Sequence, residues 1–227
     1  MSDIRIQARH NDPASASENG ARISVNGTRD GAIFTADYIM QLGLEGRVFV
    51  VNTGTGTTPT TFNATYAATE PDLYLYVPTN KAVIPIYISV QFEDTGTAQV
   101  MDVLALASAT ADSAVTGTAL TIYNTRTDAP NTSGCTATGV VTGTLTDPRA
   151  GNFYEFWRPY AGFGEDAFNG STGWVNGRIH GAEWTLSQVG YPPIIANGGS
   201  LSVWASGQAA TGFITAVFAE IPSTRVQ

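Results

Sequence analysis

The stretch from Val83 to Phe92 constrains this chain more than any other. Ile84, Ile86, Ile88, Val90 and Phe92 share one parity, and Tyr87, Ser89 and Gln91 share the other. A period of two sustained over that length is the pattern of a strand with one face on a core and the other toward a more polar surface. Pro85 cannot donate to a ladder, which predicts an edge position or the opening of the strand. The run Glu93-Asp94-Thr95-Gly96-Thr97 reads as a hairpin turn leading into a strand over 99–107.

Shorter runs repeat the pattern along the chain. Arg47–Val51 is a buried strand that stops at Asn52-Thr53-Gly54, and the Gly/Thr/Pro stretch 54–61 is a loop. In Asp72–Val77, Leu73, Leu75 and Val77 fall on one face and Tyr74 and Tyr76 on the other. Further strands are predicted at Ala119–Tyr123, Thr138–Thr144, Phe153–Trp157, Ala182–Ser187, Leu201–Ala205 and Phe213–Ile221. Met101–Ala111 is rich in Ala and Leu, and its first half reads as strand from its neighbours. No helix beyond a turn or two is predicted. About ten strands at turn-marked spacing imply an all-β chain, an antiparallel jelly-roll-type β-sandwich. Residues 1–20 are polar and lack apolar periodicity, so they read as an extended N-terminal arm. Residues 21–227 then form a single sandwich domain.

Charge narrows the function classes. Only 13% of residues are charged, about half the usual share of ~25%, so Thr, Ser, Asn, Gln and Gly must cover much of the surface. The net charge is −8, Lys81 is the single lysine, and the arginines are scattered. Without a basic stripe, nucleic-acid binding is disfavoured. Cys135 is alone, which excludes an internal disulfide and a cysteine zinc cluster. The opening MSDIRIQARH has no basic-then-apolar leader pattern, and no apolar run approaches the ~18 residues of a membrane span. The expectation is a protein made in the cytoplasm with no membrane partner.

No catalytic, cofactor-binding or metal-binding set is predicted. His10 and His180 are far apart and lack ligand-spaced partners. Asp94, Asp112, Asp128 and Asp147 are each isolated, unlike a calcium loop. Gly54-Thr55-Gly56 lacks the Gly-Lys-Ser/Thr ending of a phosphate loop and reads as a turn. Glu155, Glu165, Asp166 and Glu183 lie in the most aromatic part of the chain, where Glu155 or Glu183 would be the acid of a hydrolase or lyase. The stronger reading of that region is binding or packing. Trp157, Tyr160, Phe163, Trp174 and Trp184 are the candidate ligand or interface aromatics, with the glycine-rich loop 160–177 among them. Phe213–Ile221 is apolar on both parities, so Phe213, Val217, Phe218 and Ile221 are candidates for a strand with a core on one side and a subunit interface on the other.

The polar arm, the Gly/Thr-rich jelly roll and the closing run Val217-Phe218-Ala219-Glu220-Ile221-Pro222 together resemble the small single-domain capsid and decoration proteins of tailed bacteriophages. The segment from Gln41 to Asn52 has the same character. That resemblance implies a non-enzymatic virion protein, a decoration (cement) or minor capsid protein. It would pack as a homotrimer against other capsid proteins, with arms holding neighbours. The alternative is a carbohydrate-binding β-sandwich on a viral fibre or receptor-binding appendage, with Trp157, Trp174 and Trp184 as the stacking rings.

Overall fold

The computed structural model describes residues 6–7, 22–23, 38–94, 100–143, 145–162, 181–188, 191–205 and 210–226. In chain order the strands are β1 (Ile6–Gln7), β2 (Arg22–Ile23), β3 (Val48–Asn52), β4 (Thr60–Thr61), β5 (Leu73–Tyr76), β6 (Lys81–Asp94), β7 (Val100–Asp102) and β8 (Leu104–Ser108). They continue with β9 (Thr118–Leu120), β10 (Ile122–Asn124), β11 (Thr136–Gly139), β12 (Phe153–Trp157), β13 (Tyr160–Gly162), β14 (Gly181–Thr185), β15 (Ile195–Ala196), β16 (Ser200–Trp204) and β17 (Thr211–Pro222). One helix, α1 (Tyr38–Leu44), precedes β3. The predicted arm lies outside the described residues except for Ile6–Gln7, which pair with Arg22–Ile23.

Two antiparallel sheets make the sandwich. The first has the order β10-β3-β17-β6-β14, with β15 also on β6 and β4 on β17; the second has the order β12-β8-β16-β5-β11-β9. Their pairings are nested. β3 pairs β17, β5 pairs β16, β6 pairs β14 and β8 pairs β12. A chain with first-to-last, second-to-next-to-last pairing is one long hairpin rolled on itself, which is the jelly-roll topology expected of the sequence. The hairpin tip, between β8 and β12, carries the excursion β9–β10–β11. It adds β11 and β9 to the β5 side of one sheet and β10 to the β3 edge of the other.

The core lies between the sheets. Leu73, Leu75 and Val77 point into it with Ile88, Val90, Leu201, Val203, Ile214 and Phe218. Tyr74, on the opposite parity, packs outside with Val141 and Leu145. Its hydroxyl donates to the Asp112 carbonyl at 3.1 Å and accepts the Asp112 N–H at 2.8 Å.

The alternation of β6 is real but not continuous. Its register with β17 slips between Val217 and Phe218, which face Tyr87 and Pro85. Ile88, Val90 and Phe92 therefore face the inter-sheet core, while Ile84 and Ile86 turn to the outer face. Pro85 sits at this bulge, in the gap between the β14 pairing (87–91) and the β15 pairing (82–83), where no ladder bond is lost. The hairpin predicted after β6 does not form. β6 and β8 belong to different sheets and do not pair, and residues 95–99 of the predicted turn lie outside the described residues. Turn residues at Glu93–Thr97 suit a reversal, but rolled pairing gives β6 the later strands β14 and β17 as neighbours.

Helix α1 is short because it stops hard. The Arg47 N–H bonds the Leu42 carbonyl at 2.8 Å and the Gly46 N–H bonds the Gly43 carbonyl at 2.9 Å, with Gly46 at φ 68°. This is a Schellman cap, which wants glycine at the left-handed position. A Cβ on Gly46 would also fall 2.3 Å from Pro130 Cγ. The cap turns the chain into β3 and lays Ile39 and Leu42 over Val48, Ala82, Ile84, Ala219 and Ile221, on the outer face of the first sheet.

Candidate functional site

The aromatic region splits apart in the fold. Trp184, on β14, is 2% exposed and packs edge-on against Phe156 with ring centroids 4.9 Å apart, and Trp157 is 9% exposed. Both belong to the inter-sheet core. The ring faces expected to stack a ligand there are enclosed by the chain itself. Tyr160 is placed in β13, opposite Asp102. Its side chain, Phe163, Trp174 and most of the loop 160–177 lie outside the described residues, as do His10, His180, Glu165 and Asp166.

The two described carboxylates of that region, Glu155 and Glu183, each have a different protein partner. Glu155 takes both arms of Arg158, at 2.6 and 3.1 Å, and this charged hydrogen-bond pair holds its carboxyl below the usual range. An acid for protonating a leaving group needs the opposite shift. Glu183, on β14, accepts the Tyr87 hydroxyl at 2.9 Å on the exposed face. The described loop aspartates are each held by a protein partner. Asp112 accepts the Thr146 N–H at 2.6 Å, Asp147 accepts the Arg149 N–H at 2.9 Å, and Asp128 pairs with Arg126. Among the described residues no group of three or more His, Cys, Asp or Glu side chains is placed to hold a metal ion, and no helix is long and apolar enough to cross a membrane.

The candidate interface strand also resolves into parts. Phe218 is fully buried between the sheets, while Ile221 is buried in the outer cluster with Leu42 of α1 and Val217 packs partly buried at its margin. The cover that the sequence pattern assigned to a neighbouring subunit is supplied by the chain's own helix. Phe213 is half-buried and opens onto a cleft.

Two surface features remain. One is a groove of mixed polarity at the β8–β12 edge, where Phe153, Tyr154, Pro192, Pro193 and Ile194 meet Ser108 and Asn152. Phe153 is 45% and Ile194 55% exposed, and the adjoining Tyr191 is more exposed than either. Among the described residues β12 has a strand partner on one side only. The other is a cleft of ≈ 750 Å³ at the β3–β17 end of the first sheet. Asn52, Gln91, Phe213 and Thr215 come from the sheet, Thr55 and Gly56 from the turn after β3, and Thr118 to Thr121 with Tyr123 from the hairpin-tip excursion. The turn at 54–58 is closed by the Thr55 N–H on the Thr58 carbonyl, 2.9 Å, so the glycine-rich run is a turn as its sequence predicts.

Two buried carboxylates hold the ends of the sandwich. Asp72 accepts the Asn63 N–H at 2.7 Å and the Ala205 N–H at 2.8 Å, yet burial outweighs both donors and pushes its carboxyl up to about 7. Glu220 pairs with Lys81 at 2.6 Å and accepts Ser133 Oγ at 2.6 Å and the Gly134 N–H at 2.9 Å. Burial raises the Glu220 carboxyl, but these partners together outweigh it and keep the group below the ordinary glutamate value. Beside it, burial and the Glu220 charge push the Cys135 thiol up to about 12, so it stays protonated and unreactive. The single lysine and the single cysteine thus serve one structural knot.

No family model, curated protein or solved structure matches the chain significantly. The class that fold and surface define is an antiparallel two-sheet β-sandwich with nested strand pairing.

Proposed function

We propose that this protein is a non-enzymatic structural protein of a virion, a capsid decoration (cement) or minor capsid protein that works through protein–protein contacts, with copies of itself first. The observation that carries the reading is the set of exposed large side chains at the β12 edge, Phe153, Tyr154, Tyr191 and Ile194. Exposed aromatic and aliphatic side chains gathered beside a half-paired edge strand are what an assembly surface needs, and a monomer has reason to avoid them. The low share of charged residues, 13%, supports it, since little charge has to be desolvated when uncharged surfaces pack together. On α1, Met40 and Leu44 are likewise exposed.

Sedimentation analysis of the full chain tests this. A stable oligomer, with a trimer as the expected state, supports it. The double variant Phe153→Asp, Tyr154→Asp should then sediment as a monomer with an unchanged circular dichroism spectrum. A wild-type monomer at all concentrations that also fails to co-sediment with assembled particles would sink the reading.

A further inference from the structure

The cleft on the first sheet is separate from the β12 groove, and its chemistry is different. We propose that it is a binding site for an uncharged saccharide, with Tyr123 as the ring on which a sugar face stacks and Asn52, Gln91 and Thr215 as the side chains that read its hydroxyls. Its ≈ 750 Å³ lies within the range of about 300–1,000 Å³ typical of ligand pockets.

The lining selects the ligand class. None of its described lining residues carries a formal charge. An anion would find no cation to pair with, on a chain of net charge −8, and a metal ion would find no carboxylate. A wholly apolar ligand would strip water from the threonine hydroxyls and the Asn52 and Gln91 amides without replacing their hydrogen bonds, at about 1–3 kcal/mol for each group left unpaired. A sugar presents what this surface complements, hydroxyls at its rim and a C–H patch on its face. Tyr123 is 60% exposed and Phe213 is half-buried in the cleft, so aromatic surface is available at wall and floor.

The site is built in advance of any ligand. Thr215 Oγ1 donates to Asn52 Oδ1 at 2.7 Å, which occupies the amide oxygen and leaves the Thr215 oxygen able to accept. Beneath them Thr53 Oγ1 accepts the Ile214 N–H at 2.8 Å. The rim holds backbone in rare conformations. Val140 has φ 49°, a region that β-branched residues avoid, and is held there by its N–H on the Asp72 carbonyl at 2.9 Å. Such strain persists where the surroundings over-determine it, most often beside a binding site.

The test is a titration of the full-length protein with maltotriose, cellotriose and mannotriose, followed by two-dimensional amide NMR, with sialyllactose and a heparin disaccharide as charged comparators. At least one neutral trisaccharide should shift the resonances of Asn52, Tyr123 and Thr215. Tyr123→Ala and Thr215→Val should each weaken that binding by about tenfold, the loss of one stacked or hydrogen-bonded contact. Both positions are at the surface, so their melting temperatures should match wild type. The proposal is overturned if no neutral trisaccharide moves these resonances, if only the charged sugars bind, or if binding survives both substitutions. Neither result bears on the sedimentation experiment, because the assembly groove contains none of these residues.

Discussion

The outer face of the first sheet is two surfaces on one ladder. Toward the end of β17, Ala219 meets Ile84 and Val48, Ile221 meets Ala82, and Leu42 of helix α1 packs over them, with Val217 at the margin beside Tyr87 and Val50. Toward its start, Phe213 and Thr215 meet Gln91 and Asn52, and a cleft stands over them. Backbone, twist and neighbours are shared, and only the side chains differ. Where the outward positions are aliphatic the chain supplies a lid of its own, and where they are hydroxyl, amide and aromatic it leaves room. An apolar second parity therefore does not by itself imply a subunit partner, since a two-turn helix can bury it.

The largest expected effect comes from breaking the lid. Leu42 is almost completely buried on α1 against Val48 and Ile221. Leu42→Ala should destabilise the fold by about 2–5 kcal/mol, measured by urea unfolding, while a ligand bound in the cleft should keep its affinity. If the cleft lost binding in step with stability, the two halves would not be independent.

Next in size is the pH dependence set by one carboxylate at each end. The Asp72 carboxyl sits at about 7 in the fold against an ordinary 3.8. Between those values the folded chain keeps a proton that the unfolded chain has released. Its contribution is therefore complete below pH ~4 and is lost as pH rises to ~7, by a few kcal/mol at most. Glu220 has the opposite sign. Its carboxyl lies below the ordinary 4.5, so its contribution is complete above pH ~4.5 and is lost on acidification. Thermal melts across pH 3–8 should show Asp72→Asn flattening the neutral limb, and Glu220→Gln removing part of the acid limb.

Much of the comparison was legible in the sequence, and the missing parts share a cause. The strands over Val48–Asn52, Leu73–Tyr76 and Lys81–Asp94 follow from local alternation, and the tyrosine–leucine split in β5 follows as well. The bulge at Pro85 does not, because it is a property of β6 paired with β17, and neither strand alone reports it. Helix α1 is too short for a 3.6 period to stand out, so the cover for Ile221 had no signal. Trp184 and Trp157 read as ligand aromatics because composition cannot tell a core ring from an exposed one. The cleft was invisible for a similar reason: its threonines come from distant segments, and each looked like ordinary turn or surface chemistry.

The sharpest comparison exchanges the two halves one residue at a time. Val217→Thr places a hydroxyl at the margin of the lidded cluster, between Val50 and Tyr87. With no acceptor provided for it, the cost should be about 1 kcal/mol, at the low end for a buried polar group because Val217 keeps some exposure. Thr215→Val makes the mirror change on the same face of the same strand. It removes the hydrogen bond to Asn52 Oδ1, but water can reach the amide left behind, and β-branched side chains suit strands equally well. Its stability should stay within about 0.5 kcal/mol of wild type. Two isosteric exchanges of opposite sense, two residues apart, should thus differ in stability, while only the second weakens saccharide binding. Equal costs in parallel urea titrations would show that α1 does not dry the ladder beneath it, and that the covered and open halves are one surface after all.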